Sequence, residues 1–210
     1  MPARGAKPIV MRALNYLLEQ TAVYSLWQAP FANAKLAPLL ANDAISRARR
    51  VLDVGCGPGT NTHLFAHADY LGIDINPLYI SHARRKHNRP FMVADVISYA
   101  EDPAIPYDFI LVNSFLHHLE TTACSKILQR LQTWLSEDGR IHLLELVLPK
   151  GAPFAHFMAR ADRGEFARPI AEWRDLFEKH LDIVQFEPYP LGPFGLTFWS
   201  MVYCKGKRKS

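Results

Sequence analysis

From Arg50 onward the chain alternates short apolar runs with segments of helical periodicity. The runs "RVLDV", "YLGID", "FMVAD", Tyr107 to Val112 and "RIHLLELVL" have strand length and are rich in aliphatic and aromatic residues. Between them, "LYISHARRKH" and "CSKILQRLQTWL" read as helices, the second with Ile127, Leu128, Leu131, Trp134 and Leu135 at helical spacing. Alternation of this kind predicts an α/β fold: a doubly wound, mostly parallel sheet with helices on both faces. After another helical segment, "IAEWRDLFEKHL", the runs "DIVQFEP" and "LTFWSMVYC" flank the Pro/Gly-rich "YPLGPFG". They predict a hairpin whose last strand runs antiparallel and completes a seven-stranded sheet.

Two segments fall outside the alternation. Residues 1–47 read as two helices broken at Pro30, forming a cap, and residues 149–168 form an insert between the fifth strand and the next helix. The expected organisation is one domain: helical cap 1–47, core 48–148, insert 149–168, C-terminal helix and hairpin 169–204, basic tail 205–210.

Composition narrows the setting. With 210 residues, 49% of them hydrophobic, the chain can bury a sizeable core. No apolar run approaches the ~20 residues that span a bilayer, and "MPARGAKPIV" lacks the apolar stretch of a signal peptide, so a soluble cytoplasmic protein without a membrane partner is expected. Cys56, Cys124 and Cys204 lack metal-type spacing, which argues for reduced thiols and no metal site. The formal charge of +4 comes from the tail: Lys205, Lys207, Arg208 and Lys209 are four of 24 basic residues, and the rest balances 20 acids. A solvated tail is the expectation, with a phosphate-binding arm as the lesser alternative.

Candidate chemistry begins at "VLDVGCGPGT". Gly55, Gly57 and Gly59 follow the first strand, where ligands of open α/β sheets bind, and lack the Cβ that would keep a ligand from the backbone. The spacing G-x-G-x-G is one residue shorter than the dinucleotide fingerprint, and Asp53 would repel a pyrophosphate but suit a cationic ligand. Asp74 closes the second strand, where an acid can bridge the hydroxyls of a ribose, and Asp95 closes the third. Any one of these aspartates reads equally well as a turn former or N-cap. Three in order, beside the glycines, point to a nucleoside ligand with a cationic end.

In these motifs the sequence resembles the class I S-adenosylmethionine-dependent methyltransferases, particularly their UbiE-like, small-molecule branch, from about Val51 to Leu148. "VLDVGCGPGT" resembles the family's first motif, "GIDIN" its ribose-binding acid, "VADV" its adenine-contacting strand end and "FILVNSFLHHL" its fourth motif. The resemblance implies S-adenosylmethionine as cofactor. Gly55 and Gly57 would pack on its methionine part and Asp53 would orient the amino end. Asp74 would hold the ribose, Ile75 would flank the adenine, Asp95 would accept from its amino group, and Val96, in the adenine-contacting strand end, would belong to the same cofactor site. Asn113 would offer its backbone carbonyl to the methionine ammonium.

An acceptor that carries a proton at pH 7 needs a base, and His117 and His118, just past the fourth strand, are the candidates, followed by Glu145. Each His has an ordinary packing or solvent role as its alternative. The tetrad after the fourth strand is Asn113, Ser114, Phe115, Leu116, not the D/N-P-P-Y/F that stacks a flipped base, and no Pro-Cys nucleophile occurs, so nucleic acid loses support. Tyr24 and Trp27 in the cap, with Arg160 in the insert, are expected to line a pocket for a small organic substrate. The competing readings are an RNA or protein methyltransferase recruited by the tail and a binding module without turnover. The sequence leaves the oligomeric state open.

Overall fold

A computed structural model describes residues 32–41, 43–99, 103–148, 166–192 and 196–210. The strands are β1 (Arg50–Val54), β2 (Asp69–Asp74), β3 (Phe91–Val93), β4 (Tyr107–Asn113), β5 (Leu135–Val147), β6 (Leu181–Leu191) and β7 (Trp199–Arg208). They form one seven-stranded sheet in the order β3-β2-β1-β4-β5-β7-β6. The pairs among β1 to β5 are parallel, while β7 is antiparallel to both β5 and β6. The order reverses between β1 and β4, which makes the glycine loop after β1 the switch point.

Helices α1 (Ala32–Leu40), α2 (Ala44–Arg47) and α3 (Pro77–Lys86) lie on one face, and α4 (Thr121–Trp134) and α5 (Ile170–His180) on the other. Alternating strand residues feed the two cores: Leu52, Val54 and Leu143 face α4 and α5, while Val51, Leu111, Leu144 and Tyr203 face the first group. The stripe of α4 is the one its spacing predicts, with Cys124, Ile127, Leu128, Leu131 and Trp134 buried. On α5, Trp173 is fully buried and its indole N–H reaches the Leu146 carbonyl at 2.9 Å. Helix α3 starts on Asn76, whose Oδ1 accepts from the Leu78 amide, and ends on Arg84, Arg85 and Lys86 beside its negative pole. Pro188 and Pro190 sit on β6, the edge strand, where a missing amide is tolerated.

Two expectations change. Part of the expected cap belongs to the body, because Leu36 and Leu39 of α1 are buried in the core and the Lys35 carbonyl accepts from Tyr189 Oη at 2.6 Å. Pro38 lies inside α1, and the chain turns between α1 and α2; the break expected at Pro30 lies outside the described residues. The basic tail is largely strand: Lys205, Gly206, Lys207 and Arg208 complete β7, opposite Gln185, Ile183, Asp182 and Leu181. Lys207 and Lys209 bring their ammonium groups within 3.9 and 3.7 Å of Asp182, and a Cβ on Gly206 would press on Leu181 at 2.9 Å. The charges are the solvated side of a paired strand rather than a free arm.

Deletion of residues 205–210 therefore removes ladder partners of both β5 and β6. Urea denaturation should show a loss of at least ~3 kcal/mol, from three or more backbone hydrogen bonds and the burial behind them. A free tail would leave the midpoint unchanged.

Candidate active site

The loop after β1 is held by the next strand. The amides of Gly55 and Cys56 both donate to the Ile73 carbonyl, and the Gly57 amide donates to Asp74 Oδ2 at 2.9 Å. Asp74 Oδ1 accepts from the Asn76 amide at 2.8 Å, so one carboxylate ties the loop to the start of α3. Gly55, Gly57 and Gly59 have φ of +69°, +53° and +82°, the left-handed region that glycine enters without strain.

Their surroundings differ. A Cβ on Gly55 would sit 2.9 Å from Phe115 Cγ, and one on Gly59 2.8 Å from the His87 ring. A Cβ on Gly57 would meet nothing within 4 Å among the described residues. Two of the glycines make room for the protein itself, and Gly57 is the one that leaves its face open to a ligand.

Beside it lie buried acceptors. Asp53, fully buried, accepts from Tyr70 Oη at 2.9 Å through Oδ2, while its Oδ1 has no hydrogen-bond partner among the described residues. Asn113, at the end of β4, gives its amide to Asn61 Oδ1 at 3.4 Å and keeps a buried Oδ1 that is likewise unpartnered among them. Burial pushes the Asp53 carboxyl up to about 7, against the opposing pull of Tyr70 and Asn61. Acceptors left without donors in a protein interior call for a cationic or N–H-bearing group.

At the ends of β2 and β3 the chemistry changes to apolar. Ile75 is 67% exposed, and Val93 and Ile97 are also exposed, an arrangement suited to a flat apolar ligand face. Asp95 is half-buried and caps its own turn, accepting from the Ile97 amide at 3.0 Å and Ser98 Oγ at 3.1 Å. The Val96 side chain is buried in the core, so only its backbone is available to a ligand.

Past β4 the paired histidines sit in different surroundings. His117 is 2% exposed and its Nδ1 lies 2.8 Å from Glu145 Oε2. Glu145, fully buried, also accepts from the amides of Phe115, Leu116 and His117, at 3.1, 2.8 and 3.3 Å. Both carboxylate oxygens are engaged, and the pair holds the turn after β4. His118 is the exposed member, its ring tilted by 39° against that of His117 with the centroids 4.2 Å apart.

Arg168 was not singled out by the sequence, which offers nothing to separate it from Arg160 and Arg163. It is buried, and its guanidinium donates to the carbonyls of Leu119 (2.6 Å), Phe166 (3.0 Å) and Leu116 (3.4 Å). Glu145 and Arg168 thus grip the same turn, one by its amides and one by its carbonyls. Tyr24, Trp27 and Arg160 lie outside the described residues, and no metal-type cluster occurs among the described ones.

These features fit the cofactor that the motifs imply: an open glycine face, unpaired acceptors for an ammonium, a strand-end acid for a ribose and an exposed isoleucine for an adenine. Comparison with known proteins agrees. Residues 51–139 match the methyltransferase domain family. A trans-aconitate 2-methyltransferase of Methylobacterium nodulans is 35% identical over 117 residues, 52% of this chain and 44% of that protein. The chain thus matches less than half the length of that relative. Among solved structures, the N-methyltransferase NodS from Bradyrhizobium japonicum WM9, in complex with S-adenosyl-l-homocysteine, superposes with a TM-score of 0.67 at 16% identity, over 86% of this chain and 89% of that one. The plantazolicin methyltransferase BpumL gives 0.67 at 17% identity, over 90% of each chain.

Two outcomes follow from the loop and from Asp53. Gly57→Ala should weaken S-adenosylmethionine binding in calorimetry at least tenfold, whereas Gly59→Ala should act mainly by lowering the melting temperature, because its Cβ strikes His87. Asp53 keeps a proton in the folded state between its ordinary value of 3.8 and about 7 that the unfolded chain has already lost. Its contribution to stability is therefore full below about pH 4 and is lost as pH rises through about 7. Between pH 5 and pH 8, wild type should lose ~3 kcal/mol relative to Asp53→Asn in urea denaturation.

Proposed function

We propose that the chain, which belongs to the class I S-adenosylmethionine-dependent methyltransferases, transfers the cofactor's methyl group to a carboxylate oxygen of a small organic acid. The observation that carries the reading is the open face of Gly57 beside the unpaired, buried oxygens of Asp53 and Asn113. When bound, S-adenosylmethionine supplies an electrophilic methyl on a cationic sulfur, with its leaving group built in. The chain's own part is alignment and exclusion of water, an effect that can contribute ~7 to 11 kcal/mol. Asp53 and Asn113 would hold the ammonium end, Asp74 the ribose hydroxyls, Ile75 one face of the adenine, and Asp95 with the Val96 backbone its edge.

The choice of acceptor rests on the relatives and on the histidines. The named relative acts on trans-aconitate, and a carboxylic acid of that kind is ionised at pH 7. Its oxygen is already a nucleophile, so no general base is required. That requirement suits a site in which His117 and Glu145 are committed to each other. His118 then orients rather than deprotonates. Arg160 is assigned the neutralisation of the acceptor's charge, and Tyr24 and Trp27 its cover. Three buried, free cysteines suit a reducing compartment, and we assign the protein to the cytoplasm.

The test is product analysis by mass spectrometry with labelled cofactor, offering trans-aconitate alongside a phenol and an amine. An alkali-labile methyl ester is expected, with Arg160→Ala raising KM at least tenfold and His118→Ala costing less than tenfold in kcat. Methylation of the phenol alone, with a loss of ~10² or more in His118→Ala, would instead establish base catalysis. Cofactor binding without any product would identify a binding module.

A further inference from the structure

At the opposite end of the sheet, below the amino ends of β4 and β5, lies a cavity of about 480 Å³ that the proposed reaction does not use. The strand register builds it. Arg140 pairs with Phe109 and His142 with Lys205, so these four side chains share the face of the sheet that carries α1 and α2, at adjacent positions. Ala44, Arg47 and Ala48 of α2 and its flank close the other side.

The polar groups around the cavity divide into spent and unspent. Asp43 pairs with Arg47 at 2.8 Å, and Asp108 accepts from the backbone amides of Arg49 and Arg50 at 3.0 to 3.2 Å. Lys205 Nζ has no hydrogen-bond or ion-pair partner among the described residues. Arg140 uses only Nη1, on the carbonyls of Asp138 and Gly139. The remaining acid, Asp138, is exposed at the rim. His142 stacks on Phe109 at 4.1 Å and 10° and bonds Tyr203 Oη through Nδ1 at 2.8 Å. It is 1% exposed, and its Nε2 is buried without a partner among the described residues. Burial, with Lys205 and Arg140 nearby, pushes its pKa down to about 3, so the ring is neutral and carries one N–H. Of the two tautomers, the one with Tyr203 Oη donating to Nδ1 places the proton on Nε2 and gives that nitrogen a donor to offer.

The formal charges of the lining balance, three acids against three bases, but Asp43 and Asp108 already have their donors while Lys205 and Arg140 have donors to spare, so the unspent hydrogen-bonding capacity favours an anion, and the volume exceeds that of an inorganic ion. We propose that this cavity is a second binding site, for a small organic anion whose carboxylate or phosphate group is held by Lys205 and Arg140 and completed by His142 Nε2–H. It is separate from the methyl-transfer end of the sheet and stands whether or not the acceptor assignment does.

The experiment titrates the full chain with succinate and, separately, with glycerol 3-phosphate at constant ionic strength, following the His142 ring nitrogens by NMR and the cofactor affinity by calorimetry. Saturable shifts of the His142 signals with one probe are expected, and which probe does so distinguishes carboxylate from phosphate. Lys205→Met and Arg140→Met should each weaken that binding at least tenfold and leave S-adenosylmethionine affinity unchanged. Asp138→Asn should tighten it by two- to threefold. Absence of saturable binding by either probe overturns the proposal, as does binding that persists in the Lys205→Met/Arg140→Met double variant or leaves the His142 signals unmoved.

Discussion

The carboxylate of Glu145 is the constraint around which the ligand end of the sheet is arranged. A fully buried carboxylate must find hydrogen-bond donors inside the protein, because the cost of leaving it without them is several kcal/mol. Glu145 finds four: three consecutive amides and the ring of His117. Three amides can converge on one group only if the chain folds back immediately after β4. The fold-back starts at Ser114, which has φ +55° and donates its amide to the Leu144 carbonyl at 2.7 Å. A non-glycine residue in that region is uncommon and persists where its surroundings over-determine it. Here Glu145 from one side and Arg168 from the other do so.

The consequence runs back to the glycine loop. Because the turn is fixed, Phe115 lies over Gly55 and excludes any side chain there, which makes the first loop glycine a packing requirement set by a residue sixty positions later. Gly59 is likewise set by His87 and Phe91. With the loop pinned at both ends by its own protein, and by Asp74 at its centre, the open face of Gly57 is rigid before any ligand arrives. A preorganised cradle of this kind lowers the ordering cost of binding.

How far the sequence leads depends on the range of the interaction that decides each feature. The parallel strands and the α4 stripe are legible because their signal lies within a window of ten or so residues. The strand-end aspartates are legible for the same reason, since position after a strand is a local property. The histidines are not: "SFLHHL" is correctly placed beside the ligand end, but the carboxylate that removes His117 from solvent comes from β5. Lys205 to Arg208 look like a tail because a charge run resembles solvated chain. Only the pairing with Leu181 to Gln185, together with the pull of Asp182, makes it strand. Arg168 shows the limit most plainly, as one of several arginines in its region whose role is decided by carbonyls some fifty residues away.

Strand β5 shows how one element serves two ends without mixing their chemistry. Its side chains alternate, so Glu145 points to the face that carries α4 and α5, while His142 and Arg140 point to the face that carries α1 and α2. The two buried polar residues are three apart, yet they lie on opposite sides of a closed layer of Ile141, Leu143 and Leu144, each almost wholly buried. That layer is apolar and tightly packed, so neither polar group can form a hydrogen bond across it. A shift of the β5 backbone, in contrast, would move both residues together, because the antiparallel partner β7 locks the strand from Ile141 to Val147.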